Sequence, residues 1–419
     1  MIFLCHYFSQ TVNLFQDGTL THSPTHPLTR SPAHPLTRSP AHPLTRSPAH
    51  PLTSSPANMS ASTKFYPLRV RDLRRETVET VSVAFEVPGE LRDLFRFTQG
   101  QYLTLRTVID GADQRRSYSI CAAPHEHDLR VAIKKVPGGV FSTYANERLR
   151  MGDELRVMPP QGRFFTELSP NNQNVYVAFV AGSGITPVIS ILKTVLHEEP
   201  NSRFLLFYGN RSFDHIIFRE QLEELKNRYP QRLAIHHVLS RESLGADLFH
   251  GHLNGDKCRA YARLLFRPEE VAAFFLCGPE EMIFDIKDGL GELGVPASSI
   301  HYELFTAPGA AKRATVSEIV RSSEAFDAAI TVHQDGMQFD FQLQSDGSTL
   351  LDAAMRAGAD LPFSCKGGVC STCKAKVLEG EVVMELCYGL EPDEIAAGYV
   401  LTCQSHPKSR KVVVSFDHA

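Results

Sequence analysis

Near the C-terminus the chain reads Leu361-Pro362-Phe363-Ser364-Cys365-Lys366-Gly367-Gly368-Val369-Cys370-Ser371-Thr372-Cys373. The three cysteines follow the spacing Cys-x4-Cys-x2-Cys, and a fourth cysteine comes after 29 intervening residues. Four thiolates with this spacing hold a [2Fe-2S] cluster, two on each iron. The paired glycines allow a tight loop whose N–H groups face the anionic cluster. The sequence therefore predicts an iron–sulfur domain with the metal ligands Cys365, Cys370, Cys373 and Cys403.

A structural zinc site is the alternative interpretation of these cysteines. A Cys-x2-Cys pair occurs in both kinds of site, but structural zinc sites usually combine two short Cys or Cys/His knuckles. Here Cys403 stands alone after a long gap. The spacing favours the iron–sulfur cluster.

Length and composition limit the classes of protein to consider. The 419 residues suffice for two or three domains. Because 43 basic residues balance 47 acidic ones, nothing indicates a nucleic-acid or anionic-membrane partner recognised by bulk charge. Nine cysteines are too few for a disulfide-rich secreted scaffold, and no stretch approaches the ~20 apolar residues of a membrane helix. We expect a cytoplasmic protein that does not enter the membrane.

Residues 1–58 differ from the rest of the chain. They contain the repeated octet His-Pro-Leu-Thr-Arg-Ser-Pro-Ala, with histidines in register at His26, His34, His42 and His50. Regular prolines remove backbone donors and favour an extended coil, so we expect disorder. Metal binding by the histidines and a transit peptide are two alternatives. A third is that translation begins at Met59 and that the repeat is not part of the protein.

The remaining sequence divides into three domains and a linker. Residues 64–167 carry short alternating apolar runs and one helical pattern, which predicts an antiparallel β-barrel. Residues 170–305 alternate strands with helical stretches, which predicts an α/β domain with a parallel sheet. Residues 306–325 have no periodicity and suit a linker. Residues 328–419 begin with a hairpin signal, Asp335-Gly336 between apolar runs.

A glycine turn follows the first strand of the predicted α/β domain. The residues Ala181-Gly182-Ser183-Gly184-Ile185-Thr186-Pro187 come after an apolar run. We expect Thr186 to cap the following helix and Pro187 to occupy its first position, so that backbone amides face an anionic phosphate. Pro187 stands where a dinucleotide fingerprint has its third glycine, which disfavours a plain Rossmann dehydrogenase. An ordinary tight turn is the alternative.

Two further motifs lie in the predicted barrel. Arg116-Ser117-Tyr118-Ser119 falls on a strand, and Gly138-Gly139-Val140-Phe141-Ser142 begins its helix. Arginine pairs with phosphate, tyrosine flanks a flavin ring, and glycines bring amides close to a pyrophosphate. Taken separately, each is a weak signal, because an Arg-Tyr-Ser run is often an ordinary half-buried surface.

Together the motifs resemble the ferredoxin–NADP reductase superfamily fused to a C-terminal ferredoxin, over residues 64–419. Arg116 to Ser119 is similar to the family's flavin motif, Gly182 to Pro187 to its nucleotide turn, and Cys277-Gly278-Pro279 to its nicotinamide motif. The cysteine segment and Gly398-Tyr399-Val400-Leu401-Thr402-Cys403-Gln404 resemble the ferredoxin. The resemblance implies an FAD-binding barrel, an NAD(P)-binding α/β domain and a β-grasp ferredoxin domain.

The resemblance also implies roles for individual residues. Ser119, Cys277 and Glu303 would form the catalytic set, with Ser119 near the flavin atom that accepts hydride and Cys277 beside the nicotinamide. A buried strand cysteine is the alternative for Cys277. The remaining cofactor contacts would be Arg116 and Tyr118 with Phe305 for the flavin; Gly138, Gly139, Val140, Phe141 and Ser142 for its pyrophosphate; and Gly182, Ser183, Gly184, Thr186, Pro187, Gly278 and Pro279 for the nucleotide.

Within the superfamily the likeness is to the reductases of phenylacetyl-CoA epoxidases, which supply electrons to a di-iron oxygenase in aerobic phenylacetate breakdown. A flavin accepts hydride and releases electrons singly, and a [2Fe-2S] cluster takes one at a time. We therefore expect an NAD(P)H-dependent reductase whose ferredoxin face docks transiently on an oxygenase. Arg211, Ser240 and Arg241 would receive a 2′-phosphate, which favours NADPH over NADH. The alternatives are the reductase of another aromatic-ring oxygenase and a non-catalytic zinc-binding interaction protein.

Overall fold

The computed structural model describes residues 64–305 and 325–418, all of which belong to one compact unit. The octet repeat and residues 306–324 of the expected linker lie outside the described residues. No helix in the described part of the chain has the length and hydropathy required to cross a membrane.

The first domain is a six-stranded antiparallel sheet in the order β4-β3-β6-β1-β2-β5. A bridge between Ile120 and Val131 joins the two edges, so the sheet closes into a barrel. The inward side chains of alternating runs form its core, and the helix packs at one end. The elements are β1 Tyr66–Thr77, β2 Thr80–Glu86, β3 Tyr102–Ile109, β4 Ala112–Ser119, β5 Leu129–Lys134, α1 Val140–Glu147 and β6 Glu154–Val157.

The second domain is a parallel five-stranded sheet in the order β11-β10-β7-β8-β9, with hydrophobic cores on both faces. Burial on both faces explains why β7 reads as a continuous apolar run and does not alternate. The elements are β7 Val175–Ala181, α2 Ile185–Glu198, β8 Arg203–Asn210, α3 Arg219–Arg228, β9 Leu233–Leu239, α4 Gly255–Leu264, β10 Val271–Cys277, α5 Glu280–Glu292 and β11 Ile300–Glu303.

The third domain combines a mixed sheet in the order β13-β12-β18-β14-β16 with a small β15-β17 pair. Asp335 and Gly336 form its first hairpin turn, both with positive φ, as the sequence predicts. The elements are β12 Asp327–Gln334, β13 Met337–Gln344, α6 Leu350–Arg356, β14 Lys374–Glu379, β15 Val382–Met384, α7 Pro392–Ala396, β16 Tyr399–Leu401, β17 Ser405–Pro407 and β18 Lys411–Ser415. The fold class expected from the sequence is confirmed.

One local expectation is wrong. Helix α2 begins at Ile185 and Gly184 is its N-cap, so Thr186 lies inside the helix, where its hydroxyl donates to the Ser183 carbonyl at 3.0 Å. Gly182 to Gly184 form a short 3-10 turn that continues directly into α2 and removes the need for a side-chain cap. Pro187 is accordingly the third helical residue and not the first as expected, and it is tolerated there because the first turn needs no backbone donor.

Candidate active site and cluster

The side chains of strand β4 alternate between the two faces of the strand and contact different domains. Successive side chains of a strand point to opposite faces, so Arg115, Ser117 and Ser119 share one face, and Arg116 and Tyr118 share the other. Arg115 and Ser117 contact the third domain, and Ser119 contacts the second. The strand thus links all three domains within five residues.

The flavin motif meets the glycine turn before α1. The ring centroids of Tyr118 and Phe141 lie 5.7 Å apart, and burial raises the pKa of Tyr118. Gly138 has a φ of 72°, which favours glycine, and a Cβ on Gly139 would lie 2.5 Å from the Ser142 hydroxyl oxygen. These constraints leave the N-terminus of α1 beside Tyr118, with its first amides free of helical partners.

Ser119, Glu303 and Cys277 converge where the barrel meets the parallel sheet. The Ser119 hydroxyl donates to Glu303 Oε2 at 3.0 Å, and Glu303 is the register partner of Cys277 on the neighbouring strand. Burial raises the pKa of Glu303 to about 7. Burial and the charge of Glu303 also raise the pKa of the Cys277 thiol, so this cysteine stays neutral. Phe305, at the end of the described segment, is 40 % exposed.

The glycine turn packs directly against the Cys277 segment. A Cβ on Gly184 would lie 2.0 Å from the Cys277 carbonyl oxygen, and one on Gly278 would lie 2.6 Å from the Met282 methyl. Glycine is therefore required at Gly184 for close approach between two chain segments. The sequence-predicted nucleotide turn and nicotinamide motif are neighbours in the structure.

Lys134 is a residue of this region that the sequence reasoning missed. It ends strand β5 of the barrel, and its Nζ would lie 3.8 Å from a Cβ on Gly182. Burial, with a further contribution from Arg211, lowers the pKa of this lysine. A cation from the first domain thus faces the glycine turn of the second, and a lone lysine at a strand end gave no signal for this.

Arg211, Ser240 and Arg241 lie together at the carboxyl ends of β8 and β9. The Arg241 amide donates to the Arg211 carbonyl at 2.9 Å, and the Ser240 amide to the Asn210 carbonyl at 3.0 Å. Both arginine side chains are exposed, and neither takes part in an ion pair among the described residues. Carboxyl ends of parallel strands are where such sheets bind ligands.

The four predicted ligand cysteines come together in two pairs. Cys365 lies beside Cys370, and Cys373 lies beside Cys403. The neighbouring Cys370 lowers the pKa of Cys365, and the neighbouring Cys373 lowers that of Cys403. Two pairs of thiolates are the donor set that a cluster of two irons requires.

Backbone amides support this arrangement. The Gly367 amide donates to Cys365 Sγ at 3.2 Å, and the Cys365 amide to Cys370 Sγ at 3.4 Å. Gly368 has a φ of 76°, and a Cβ there would lie 3.0 Å from the Leu386 carbonyl oxygen. His406, the histidine that follows Cys403 most closely, directs its Nε2 at Glu385, 2.7 Å away. These residues fit a [2Fe-2S] cluster better than a Cys/His zinc knuckle.

A second group of potential metal ligands occurs in the described residues, made of His125, His197 and Glu198. Its two imidazole rings are stacked, with centroids 3.8 Å apart and planes 15° apart. A ring nitrogen binds metal in the plane of its ring. Because the two planes are nearly parallel, the lone pairs do not converge on one ion, and we assign no metal to this group.

Three family models match the three domains in order. They are an oxidoreductase FAD-binding domain over residues 67–166, an oxidoreductase NAD-binding domain over residues 179–288 and a 2Fe-2S iron-sulfur cluster binding domain over residues 332–408. A curated relative, one of the components of the 1,2-phenylacetyl-CoA epoxidase of Escherichia coli, is 45% identical over 85% of this chain and 98% of its own. This chain belongs to the iron–sulfur flavoprotein reductases of oxygenase systems. It is an oxidoreductase that uses FAD, a pyridine nucleotide and a [2Fe-2S] cluster.

A second curated relative and two solved structures are similar to most of this chain. The ferredoxin reductase component of 3-ketosteroid-9-alpha-monooxygenase from Rhodococcus rhodochrous is 36% identical over 83% of this chain and 96% of its own. In fold, the chain matches phthalate dioxygenase reductase with a TM-score of 0.51 at 20% identity, over 84% of this chain and 98% of that one. It also matches a self-sufficient cytochrome P450 monooxygenase with a TM-score of 0.60 at 22% identity, spanning 84% of this chain but only 41% of that longer one. The zinc-binding interaction protein is thereby discarded.

Proposed function

We propose that this reductase takes hydride from NADPH at the Ser119–Cys277–Glu303 site and supplies single electrons to the di-iron oxygenase of a phenylacetyl-CoA epoxidase. The observation that carries the electron path is that strand β4 contacts both the Glu303 site and the cluster loop. The oxygenase is inferred from the 45% identity to the epoxidase component of Escherichia coli. FAD, when bound, supplies the conversion of a two-electron hydride into single electrons, and the cluster takes one electron at a time.

The catalytic residues act by positioning and by local charge. Gly184 lets the glycine turn pack directly against the Cys277 carbonyl, and the fully buried Cys277 thiol stays neutral beneath the nucleotide site. Ser119 and Glu303 present a hydroxyl and a carboxyl where negative charge develops during hydride transfer. With a pKa of about 7, Glu303 is neutral in part of the population at physiological pH. The neutral carboxyl does not repel the negative charge that arrives with hydride.

Phosphate groups are assigned to the cations and free amides. Arg116 is exposed on the Tyr118 face of β4, next to the N-terminus of α1. This arrangement fits the FAD phosphates, with Gly138 to Ser142 covering the pyrophosphate. The nucleotide pyrophosphate fits against Gly182, Ser183 and the first turn of α2, which contains Thr186 and Pro187, with Lys134 opposite.

NADPH is favoured over NADH by the pair of arginines after β8 and β9. The hydrogen bond from Arg241 to Arg211 fixes the two loops side by side, which brings two positive charges and the Ser240 hydroxyl to one place. A dianionic 2′-phosphate needs such donors, whereas the free 2′-hydroxyl of NADH is usually bound by a carboxylate.

The oxygenase would meet the ferredoxin domain in an undocked state. Residues Cys365 to Cys373 are buried or half-buried in the structure, because Thr372 packs on the barrel and Val369 on the second domain. The face that we expected to dock is thus largely covered, and a transient partner needs it released. Another aromatic-ring oxygenase is the second candidate, supported by the 36% identity to the ketosteroid monooxygenase reductase. The cytoplasm suits the protein, since its reducing conditions keep the four ligand thiols available for iron.

The first experiment is spectroscopy of the purified protein, which should show flavin and iron–sulfur absorbance together with iron and acid-labile sulfide. Substituting Cys370→Ser should abolish NADPH-dependent reduction of cytochrome c but retain reduction of ferricyanide at the flavin. Equal loss of both activities would contradict the separate roles. Reconstitution with the oxygenase components of a phenylacetyl-CoA epoxidase should then give epoxidation; failure there with success on another oxygenase would select the second candidate.

A further inference from the structure

The cluster loop contacts the barrel through a group of hydroxyls. The Thr372 hydroxyl lies 3.2 Å from the Thr104 hydroxyl and 3.5 Å from that of Ser117. Tyr102 donates to the Cys370 carbonyl and lies 3.1 Å from the Ser371 hydroxyl. Hydroxyls both donate and accept, so these contacts tolerate small shifts and do not by themselves fix the orientation of the domain.

A charged contact stands at the other end of the same loop. The Asp360 carboxylate accepts from Arg106 at 2.8 Å and from Arg115 at 2.5 Å, five residues before the ligand Cys365. Arg115 also donates to the Leu361 carbonyl at 2.9 Å, and its guanidinium lies 4.3 Å from the centre of the Phe363 ring. A planar guanidinium that is bonded and stacked in this way defines one orientation of its partner.

The barrel carries unbalanced positive charge at this position. Arg106 and Arg115 share a single barrel carboxylate, Asp113, at 3.0 and 2.8 Å. Two cations and one anion leave a net charge of about +1 by formal counting, and Arg115 is almost fully buried, with 2 % of its side chain exposed. Asp360 brings the missing negative charge from the third domain. When that domain leaves, Asp113 still pairs with both arginines, so no charge is left alone.

We propose that Asp360, held by Arg106 and Arg115, is a releasable electrostatic latch that positions the cluster loop on strand β4 for electron transfer from the flavin. In the transfer one electron leaves the reduced flavin, one ferric iron of the cluster becomes ferrous, and no bond forms or breaks. Asp360 is a positioning residue, because it contacts neither the sulfurs nor the flavin motif. The latch rests on the proposed function. In this interpretation the structure is the conformation in which the cluster receives an electron from the flavin.

The latch is tested from both sides of the contact. Asp360→Asn and Arg106→Gln should each slow the flavin-to-cluster step about tenfold in anaerobic stopped-flow absorbance, a loss of about 1.4 kcal/mol. Asp360→Glu should restore much of the rate. High salt should slow the wild type more than either variant, because each variant already lacks part of the charged contact, while other ion pairs such as Arg163 with Asp393 stay sensitive to salt in all three proteins. Asp340→Asn is the matched control, since the Asp340 carboxylate accepts from Thr331 and Gln338 of its own domain.

A second readout does not depend on turnover. Small-angle X-ray scattering should show a larger radius of gyration for Asp360→Asn and Arg106→Gln than for the wild type and Asp340→Asn. Arg106→Gln leaves the sequence of the cluster domain unaltered. It therefore still tests the latch if Asp360→Asn assembles its cluster poorly. Wild-type transfer rates and scattering in a fully loaded Arg106→Gln protein would overturn the latch, whereas a wild-type protein without flavin or cluster would instead overturn the proposed function.

Discussion

The Ser119 hydroxyl and the Glu303 carboxylate meet at 3.0 Å across the boundary between the barrel and the parallel sheet. One residue comes from the flavin motif and the other from the end of the last strand of the α/β domain, 184 positions later. The bond therefore joins the flavin motif of the first domain to the strand that pairs with Cys277 of the nicotinamide motif in the second. Its strength depends on the charge of Glu303, which makes it sensitive to pH.

Glu303 should impose a pH dependence on flavin reduction. Burial raises its pKa to about 7, so the carboxyl is neutral below that pH and charged above it. A carboxylate repels the negative charge that arrives with hydride, and the rate of flavin reduction by NADPH should fall as pH rises through 7. Glu303→Gln, which mimics the neutral form, should show a flat profile in stopped-flow measurements between pH 6 and 8. Identical profiles for the two proteins would exclude Glu303 as the titrating group.

Gly184→Ala should destabilise the nucleotide domain and weaken nucleotide binding. Its Cβ would overlap the Cys277 carbonyl at 2.0 Å, and backbone cannot move aside cheaply, so we expect a loss of about 1–3 kcal/mol. Urea denaturation and the KM for NADPH both report this change. Gly291→Ala is the control: it lies in helix α5 with nothing within 4 Å of the added Cβ, so stability should be unchanged or higher by up to about 1 kcal/mol.

Arg211→Ala and Arg241→Ala should each raise the KM for NADPH about tenfold and change the KM for NADH by less than about twofold. A charge-assisted hydrogen bond to phosphate is worth roughly 1.5–3 kcal/mol, and NADH has no 2′-phosphate to lose it. Arg228→Ala provides a comparison, because it removes an exposed arginine from the C-terminal end of α3. Equal effects on both nucleotides would refute a 2′-phosphate site.

Lys134→Met should weaken both nucleotides to a similar extent. The lysine faces the Gly182 turn, and the pyrophosphate that we assign there is common to NADPH and NADH. Methionine keeps the length of the side chain and removes its charge, so packing should change little. At low ionic strength the variant should have a higher KM than the wild type for both nucleotides. This difference between the two proteins should shrink as salt is added. A rise in KM confined to NADPH would instead show that Lys134 contacts the 2′-phosphate together with Arg211.

Much of the architecture could be predicted because its signals are local. The alternation of apolar and polar residues predicted the barrel, and continuous apolar runs predicted the parallel sheet. Asp335-Gly336 predicted the first hairpin of the third domain. The spacing of the cysteines predicted a set of ligands that the structure brings together in pairs. Each of these patterns spans few residues, so neighbouring side chains suffice to define it.

What could not be predicted depends on contacts between distant residues. Strand β4 begins at Ala112, ahead of the Arg116 to Ser119 motif that the sequence placed on a strand, because pairing with β3 orders a polar stretch that has no apolar alternation. Arg115 and Asp360 are 245 positions apart, and neither belongs to a motif. The start of α2 at Ile185 was missed because the glycine turn itself continues into the helix. At each of these places, contacts with other parts of the chain outweigh the intrinsic secondary-structure preference of the local sequence.

The alternation along β4 sets a limit on how this family can change. Inserting or deleting one residue between Arg115 and Ser119 would turn every later side chain to the opposite face of the strand. Ser119 would then leave Glu303, and its place at the boundary would be taken by Tyr118 after an insertion or by Ile120 after a deletion. A substitution within the strand alters one side chain, whereas the gain or loss of a single residue would separate the hydride site from the iron–sulfur domain in one step.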